Sequence, residues 1–365
     1  MLERVTDWIG RRPRARPFEA LQIEVTSRCC IRCEMCPRST LAERWPEMDL
    51  SWQAFERIAR AFPRVRHVHL QGWGEPLLHP RLFEMIALAK SAGCRVGLTT
   101  NGMGLDRDTG KRLLDLQLDL LSTSIAGATR ETHERIRVST DFSTILENVR
   151  HLARLRAGRG RPTPKIELSF LMTKASLAEL PQAVELARTL GADELYATNL
   201  DYLVTAAHDE LRAFGRSPLR DEFVRIVETA RARARAIGLA FRAYPLDLEE
   251  VAVCEAHPTT ILFVSCDGWA APCSYLALPG QTEIPRWFEG RQVAVPAMRF
   301  GNVQEQALTD IWNSPAWREF RQQFAARRMG LAARAMAALS GGGDSEPRMP
   351  PPPEPCRTCY KLLGV

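Results

Sequence analysis

Cys29, Cys33 and Cys36 stand in the run C-C-I-R-C-E-M-C, directly after the apolar stretch Leu21-Gln-Ile-Glu-Val25. Three thiolates at this loop spacing suit an iron-sulfur cubane, because a [4Fe-4S] centre with three protein ligands keeps one iron open for an exogenous ligand. An open iron is a place for chemistry. A structural zinc would need a further ligand to close its tetrahedron, and the next His is distant at His67, which leaves Cys30 as the near substitute. A disulfide fits poorly, since no signal peptide or membrane span is evident and an odd local set of thiols suits a reducing cytoplasm. A second group lies far downstream. Cys254, Gly268 and Cys273 form Cys-x13-Gly-x4-Cys, and Cys356-Arg-Thr-Cys359 adds a CxxC. These thiolates could close a second cubane or bind zinc; a cubane so closed has no open iron, and its natural use is electron transfer. Cys266 could replace one ligand or sit buried as a small apolar residue.

Other chemistry-bearing segments each follow an apolar run. Gly72-Trp73-Gly74-Glu75-Pro76 follows His67–Gln71, Thr99-Thr100-Asn101-Gly102 ends Arg95–Thr99, and Leu121-Ser-Thr-Ser-Ile125 carries Ser122 and Ser124. In isolation each would be an ordinary polar turn or strand end. In this order behind CxxxCxxC, they resemble the radical S-adenosylmethionine (radical SAM) superfamily, and the resemblance spans the barrel half of the chain.

The resemblance implies a reductive cleavage of SAM to a 5'-deoxyadenosyl radical that abstracts a substrate hydrogen. Cys29, Cys33 and Cys36 would hold the catalytic [4Fe-4S] cluster. Gly74, Glu75 and Pro76 would meet the methionine ammonium of SAM, with Glu75 acting directly or by holding the turn. Thr100, Asn101 and Gly102 would lie beside the ribose and cluster, Ser124 would take the ribose or carboxylate, and Arg137 would pair with the carboxylate, for which a planar fork is well suited. Two departures from the family pattern stand out: Trp73 replaces the first glycine of Gly-Gly-Glu-Pro, and Ala126 replaces an aspartate after Ser124-Ile125. The C-terminal cysteines resemble the auxiliary-cluster domains called SPASM and Twitch, with Gly301-Asn302-Val303 and Ile311-Trp312 as the stretch between their halves. The resemblance then implies Cys254, Cys273, Cys356 and Cys359 as ligands of one auxiliary [4Fe-4S] cluster. That cofactor set makes the expected enzyme an oxidoreductase acting on a peptide or protein residue or a small metabolite, reduced by a flavodoxin or ferredoxin. Cofactor or metalloenzyme maturation is the alternative within the superfamily, and a non-catalytic iron-sulfur or zinc module the alternative outside it. Asp201 and Tyr202 are weak candidates for a base near the substrate, with a plain loop role the simpler reading. His133, on a polar segment, reads as solvated or capping.

The elements that must position these residues alternate in type. Strands are expected at Leu21–Thr26, His67–Gln71, Arg95–Thr99, Leu118–Ser124, Lys165–Met172 and Glu194–Asn199, with helices at Ser51–Phe62, Pro80–Ala92, Thr144–Leu155, Ala175–Leu190 and Leu219–Ile237. Apolar strands alternating with helices imply a parallel α/β sheet, and six units suit a partial (β/α)6 TIM-like barrel with function at the strand C-terminal ends. At 365 residues and 45% hydrophobic, the chain can bury a barrel and a smaller domain. The expected division is an N-terminal helix and basic arm over 1–20, a core barrel over 21–245 and an auxiliary domain over 246–365, with a flexible Ala/Gly/Pro linker at about 332–355. The arm is too short for a leader-peptide-binding domain, which disfavours recruitment of a ribosomal peptide in cis. The net charge of +6 is spread along helical faces such as Arg225–Arg235. Without a basic stripe interleaved with aromatics, no nucleic-acid partner and no membrane are expected.

Overall fold

The computed structural model describes residues 19–339 and 349–365. Most of the expected N-terminal helix and basic arm over 1–20 and part of the expected linker lie outside the described residues.

The apolar runs form the strands. Those expected appear as β1 (Ala20–Ile23), β2 (His67–Leu70), β3 (Arg95–Thr100), β4 (Leu120–Ile125), β5 (Lys165–Met172) and β6 (Glu194–Asn199). They are followed by β7 (Ala240–Ala243), β8 (Ile261–Val264), β9 (Trp269–Ala271), the hairpin β10 (Glu283–Phe288) and β11 (Arg291–Pro296), and β12 (Gly301–Asn302). One ten-stranded sheet runs β12-β9-β8-β1-β2-β3-β4-β5-β6-β7. From β8 to β7 every neighbour is parallel, whereas β9 pairs antiparallel with both β8 and β12. The protein is therefore an α/β open barrel, and two strands beyond the expected six extend its parallel run, β7 at one edge and β8 beside β1. Ala20 pairs with both His67 and Ile261, so the C-terminal third completes the sheet started by the first strand.

Helices α1 (Trp52–Ala59), α2 (Leu82–Ser91), α3 (Arg107–Asp115), α4 (Arg130–Ile136), α5 (Phe142–Gly158), α6 (Leu180–Leu190), α7 (Arg220–Ile237) and α8 (Pro315–Leu339) cover the sheet. Their starts are set by caps: Ser51, Asp106, Thr129 and Asp141 accept the backbone N–H three residues on, which satisfies otherwise orphaned donors. Gly191 and Gly238 in the left-handed conformation stop α6 and α7. The expected linker differs at its beginning, where the Ala-rich stretch continues α8 to Leu339 because alanine favours helix. Among the described residues no helix is long and apolar enough to cross a membrane.

Candidate active site

The three thiols sit on a loop fixed by its neighbours. The Cys36 N–H donates to the Cys33 carbonyl at 3.2 Å, and Arg32–Cys33 pairs antiparallel with Arg137–Val138, placing Arg137 opposite Cys33. As a result Arg137 Nη1 lies 3.8 Å from Cys33 Sγ, while Arg137 Nε is buried without a partner. Asn101 Nδ2 reaches the Cys29 and Cys30 sulfurs at 3.8 and 3.5 Å, and Cys30 is the exposed member of the group. Burial pushes the Cys36 thiol up to about 12 and raises Cys33, so binding of a metal cluster here must displace protons.

The turn after β2 is built for close packing. A Cβ at Gly74 would lie 2.1 Å from the Thr26 carbonyl, and one at Gly72 would lie 2.2 Å from Glu24 Cγ. The missing side chains of these glycines thus make room for the protein's own backbone and side chains, while both residues also line a cavity. Glu75 is buried and holds the turn: Oε1 accepts from Thr100 Oγ1 at 2.7 Å and Leu77 N at 3.1 Å, and Oε2 accepts from Asn101 N at 2.7 Å. Burial lifts its carboxyl to about 7. Gly102 has φ +83°, and a Cβ there would meet Ile145 and Thr123 at 2.9 Å.

A cavity of about 630 Å³ opens at the strand C-terminal ends. Cys29, Cys33, Cys36, Gly74, Glu75, Thr100, Asn101, Ser124 and Arg137 all line it, whereas Pro76 and Gly102 lie behind its wall. Ser122, also on the wall, donates to Glu167 at 2.7 Å. His133 departs from expectation. It is fully buried, stacks on Phe142 at 4.4 Å and accepts from Ala126 N, and burial lowers its pKa to about 3, so it is a packed neutral imidazole.

The distant cysteines converge. Cys254, Cys273, Cys356 and Cys359 line one small pocket, and Arg286 braces it by donating to the Pro355 carbonyl at 2.6 Å and the Tyr275 carbonyl at 3.0 Å. Burial raises Cys254 to about 12 and Cys273 to about 11. Cys266 lies elsewhere, buried against Glu24. Between the two thiol groups stand Trp73, Tyr202 and Tyr275, with ring centroids 4.9 to 5.6 Å apart, and Trp73 Nε1 donates to the Ser274 carbonyl. Asp201 accepts from Tyr275 Oη at 2.6 Å and pairs with Lys361 at 2.5 Å, and Lys361 also pairs with Glu255. Burial works against the Lys361 charge, but Asp201, Tyr275 and Glu255 outweigh it and hold the ammonium charged. Sequence reasoning passed over Lys361, Tyr275, Arg286 and Glu24. Of these only Glu24 had a signal, as the one acidic residue in the apolar first strand.

Residues 23–159 match the family model of the radical SAM superfamily, and 254–360 match that of the SPASM iron-sulfur cluster-binding domain. The chain belongs to the radical SAM superfamily and carries a C-terminal SPASM domain. Its cofactors are accordingly SAM and [4Fe-4S] clusters. A cofactor-modifying protein of the tungsten-containing aldehyde ferredoxin oxidoreductase of Pyrococcus furiosus is 28% identical over 309 residues, covering 82% of both chains. A PqqA peptide cyclase of Methylobacterium is 28% identical over 311 residues, covering 82% of this chain and 74% of the cyclase. Among solved structures, Streptococcus suis SuiB bound to S-adenosylmethionine superposes with a TM-score of 0.61 at 16% identity, over 88% of this chain and 72% of SuiB. The same protein bound to its precursor peptide SuiA gives 0.60 at 14% identity, over 100% of this chain and 75% of SuiB.

Proposed function

We propose that this protein is a radical SAM oxidoreductase that removes hydrogen from a peptide or protein residue, with the C-terminal thiols holding an electron-accepting auxiliary [4Fe-4S] cluster. One observation carries the reading: Cys273, a member of the second thiol group, lines the same cavity as Cys29, Cys33 and Cys36. A substrate in that cavity would touch both redox groups.

The residues fit the cofactors. Cys29, Cys33 and Cys36 supply three thiolates and leave one iron open, and the partnerless Arg137 Nε marks where an anionic group such as the SAM carboxylate would be received. Gly74, Glu75, Thr100, Asn101 and Ser124 form the adjoining wall, with Pro76 and Gly102 shaping it from behind. Bound there, cluster and SAM supply a 5'-deoxyadenosyl radical able to take a substrate hydrogen. Cys254, Cys273, Cys356 and Cys359 would enclose the second cluster fully, which suits electron transfer. The Trp73, Tyr202 and Tyr275 rings close the space between the groups, and Lys361 secures Asp201 at the end of β6 to the segment carrying Cys359. We divide the chain into a core over 21–245 and an auxiliary domain over 246–365, place it in a reducing cytoplasm, and assign its reduction to a flavodoxin or ferredoxin.

The peptide cyclase relatives favour a peptide substrate. The cofactor-modifying relative favours a second reading, maturation of another enzyme's cofactor. Anaerobic reconstitution tests the common core: about eight irons per chain and dithionite-dependent 5'-deoxyadenosine are expected, with the nucleoside lost in Cys29/Cys33/Cys36→Ala. No SAM cleavage by the wild type would sink the enzyme reading, and four irons plus zinc would remove the auxiliary cluster.

A further inference from the structure

We propose that Glu24 is a positioning residue for SAM, holding the SAM-facing turn from its rear through the Trp73 amide. This rests on the assignment of the Gly74–Glu75 wall to SAM. Glu24 follows β1 and is fully buried. Its Oε1 accepts from Trp73 N at 2.7 Å, and its Oε2 accepts from Cys266 N at 3.1 Å. Its side chain also fills the space a Cβ on Gly72 would need. Among the described residues no lysine or arginine forms an ion pair with it.

A buried carboxylate without a cation is costly, and an apolar residue of similar size would serve the strand better. What the carboxylate adds is the fixing of two amides. One belongs to the turn whose next two residues, Gly74 and Glu75, face the cavity, and the other to the loop between β8 and β9, which lies between Cys254 and Cys273. Glu24 therefore sets the SAM turn against the segment that carries the second thiol group, without itself touching either cofactor. Glu75 fixes the same turn from the opposite side through Thr100 and Asn101.

The experiment uses the reconstituted full chain and reads SAM affinity from the change SAM produces in the electron paramagnetic resonance of the reduced cluster. In Glu24→Gln the side chain keeps its shape but presents an NH2 group to one of the two amides. We expect SAM binding to weaken about tenfold, the loss of one hydrogen bond from an amide to the carboxyl, with iron content kept. Wild-type affinity in this variant would overturn the inference. Should Glu24→Gln lose its iron, Glu24→Asp keeps the carboxyl group and shortens the reach: weaker SAM binding with iron retained supports the positioning role, and wild-type affinity or loss of iron and fold in Glu24→Asp as well overturns it. A wild type that shows no spectral response to SAM would instead overturn the SAM assignment itself.

Discussion

Glu24 and Glu75 use their oxygens on backbone and hydroxyl donors within the protein, and burial lifts each carboxyl to about 7 from an ordinary value of 4.5. A carboxyl raised in the folded state binds its proton more tightly than in the unfolded chain. Its contribution to stability is therefore full below about 4.5 and is lost as pH rises through 7. Buried His69 and His133 are lowered and remain neutral above their ordinary 6.5, so they do not oppose this trend at higher pH. The free energy of unfolding should fall as pH rises from about 4.5 to about 7, by up to about 1.4 kcal/mol per pH unit for each carboxyl and most visibly above about 6.5, where the two histidines no longer offset it, and the melting temperature should fall with it. Glu24→Gln should flatten the profile, and an equal slope in that variant would remove Glu24 as a contributor. Gly102 gives a second test. With φ +83° and its Cβ position 2.9 Å from Ile145 and Thr123, Gly102→Ala should destabilise by about 1–3 kcal/mol in thermal unfolding. At this scale the thiols were legible in the sequence because metal ligation demands local spacing. Lys361 and Tyr275 were not, because their partner Asp201 is 160 and 74 residues away and a sequence shows no such contact.

At the scale of elements, β5 and β6 occupy the expected residues because each has a buried face rich in apolar residues between polar turns, while Ser169, Leu171, Tyr196 and Thr198 are half-buried and line the cavity. Helix α3 escaped the sequence reading: Gly110 interrupts it and its buried side chains reduce to Leu113 and Leu114 in a charged stretch. Strand β7 escaped as well, being short, half-exposed and at the sheet edge. Helix α8 was expected to give way to linker, yet it carries a device that no periodicity announces. Arg327 is fully buried and donates to the carbonyls of Ala252, Val251 and Pro350 and to Glu250. It thereby ties the helix to the segments just before Cys254 and before the Cys356–Cys359 pair. Arg327→Leu leaves the Ala252 and Val251 carbonyls without this donor, whereas the exposed Glu250 turns to water, a loss of about 1–3 kcal/mol. The variant should hold fewer irons at the second site while keeping those bound by Cys29, Cys33 and Cys36, and unchanged occupancy of both sites would show that the tie is dispensable.

For the molecule as a whole, the two family-matched segments share one sheet, because β8 pairs with β1 in register from Ala20 and Ile261 to Ile23 and Val264. A chain ended at residue 245 would lose β8 and leave β1 as a bare parallel edge with apolar neighbours. It should partition into the insoluble fraction, where the full chain stays soluble, because an open apolar edge templates association. A monomeric, soluble truncation would show that the core closes without β8. The same pairing has a consequence in time. Strand β1 and the loop bearing Cys29 leave the ribosome before the partner strand, and Ile261 follows Ala20 by about 240 residues, roughly 10–50 s at ordinary rates of synthesis. During that interval the wall contributed by the C-terminal third does not yet exist, so the nascent chain offers its first thiol loop to iron-sulfur delivery before the chamber that will later shelter it has closed.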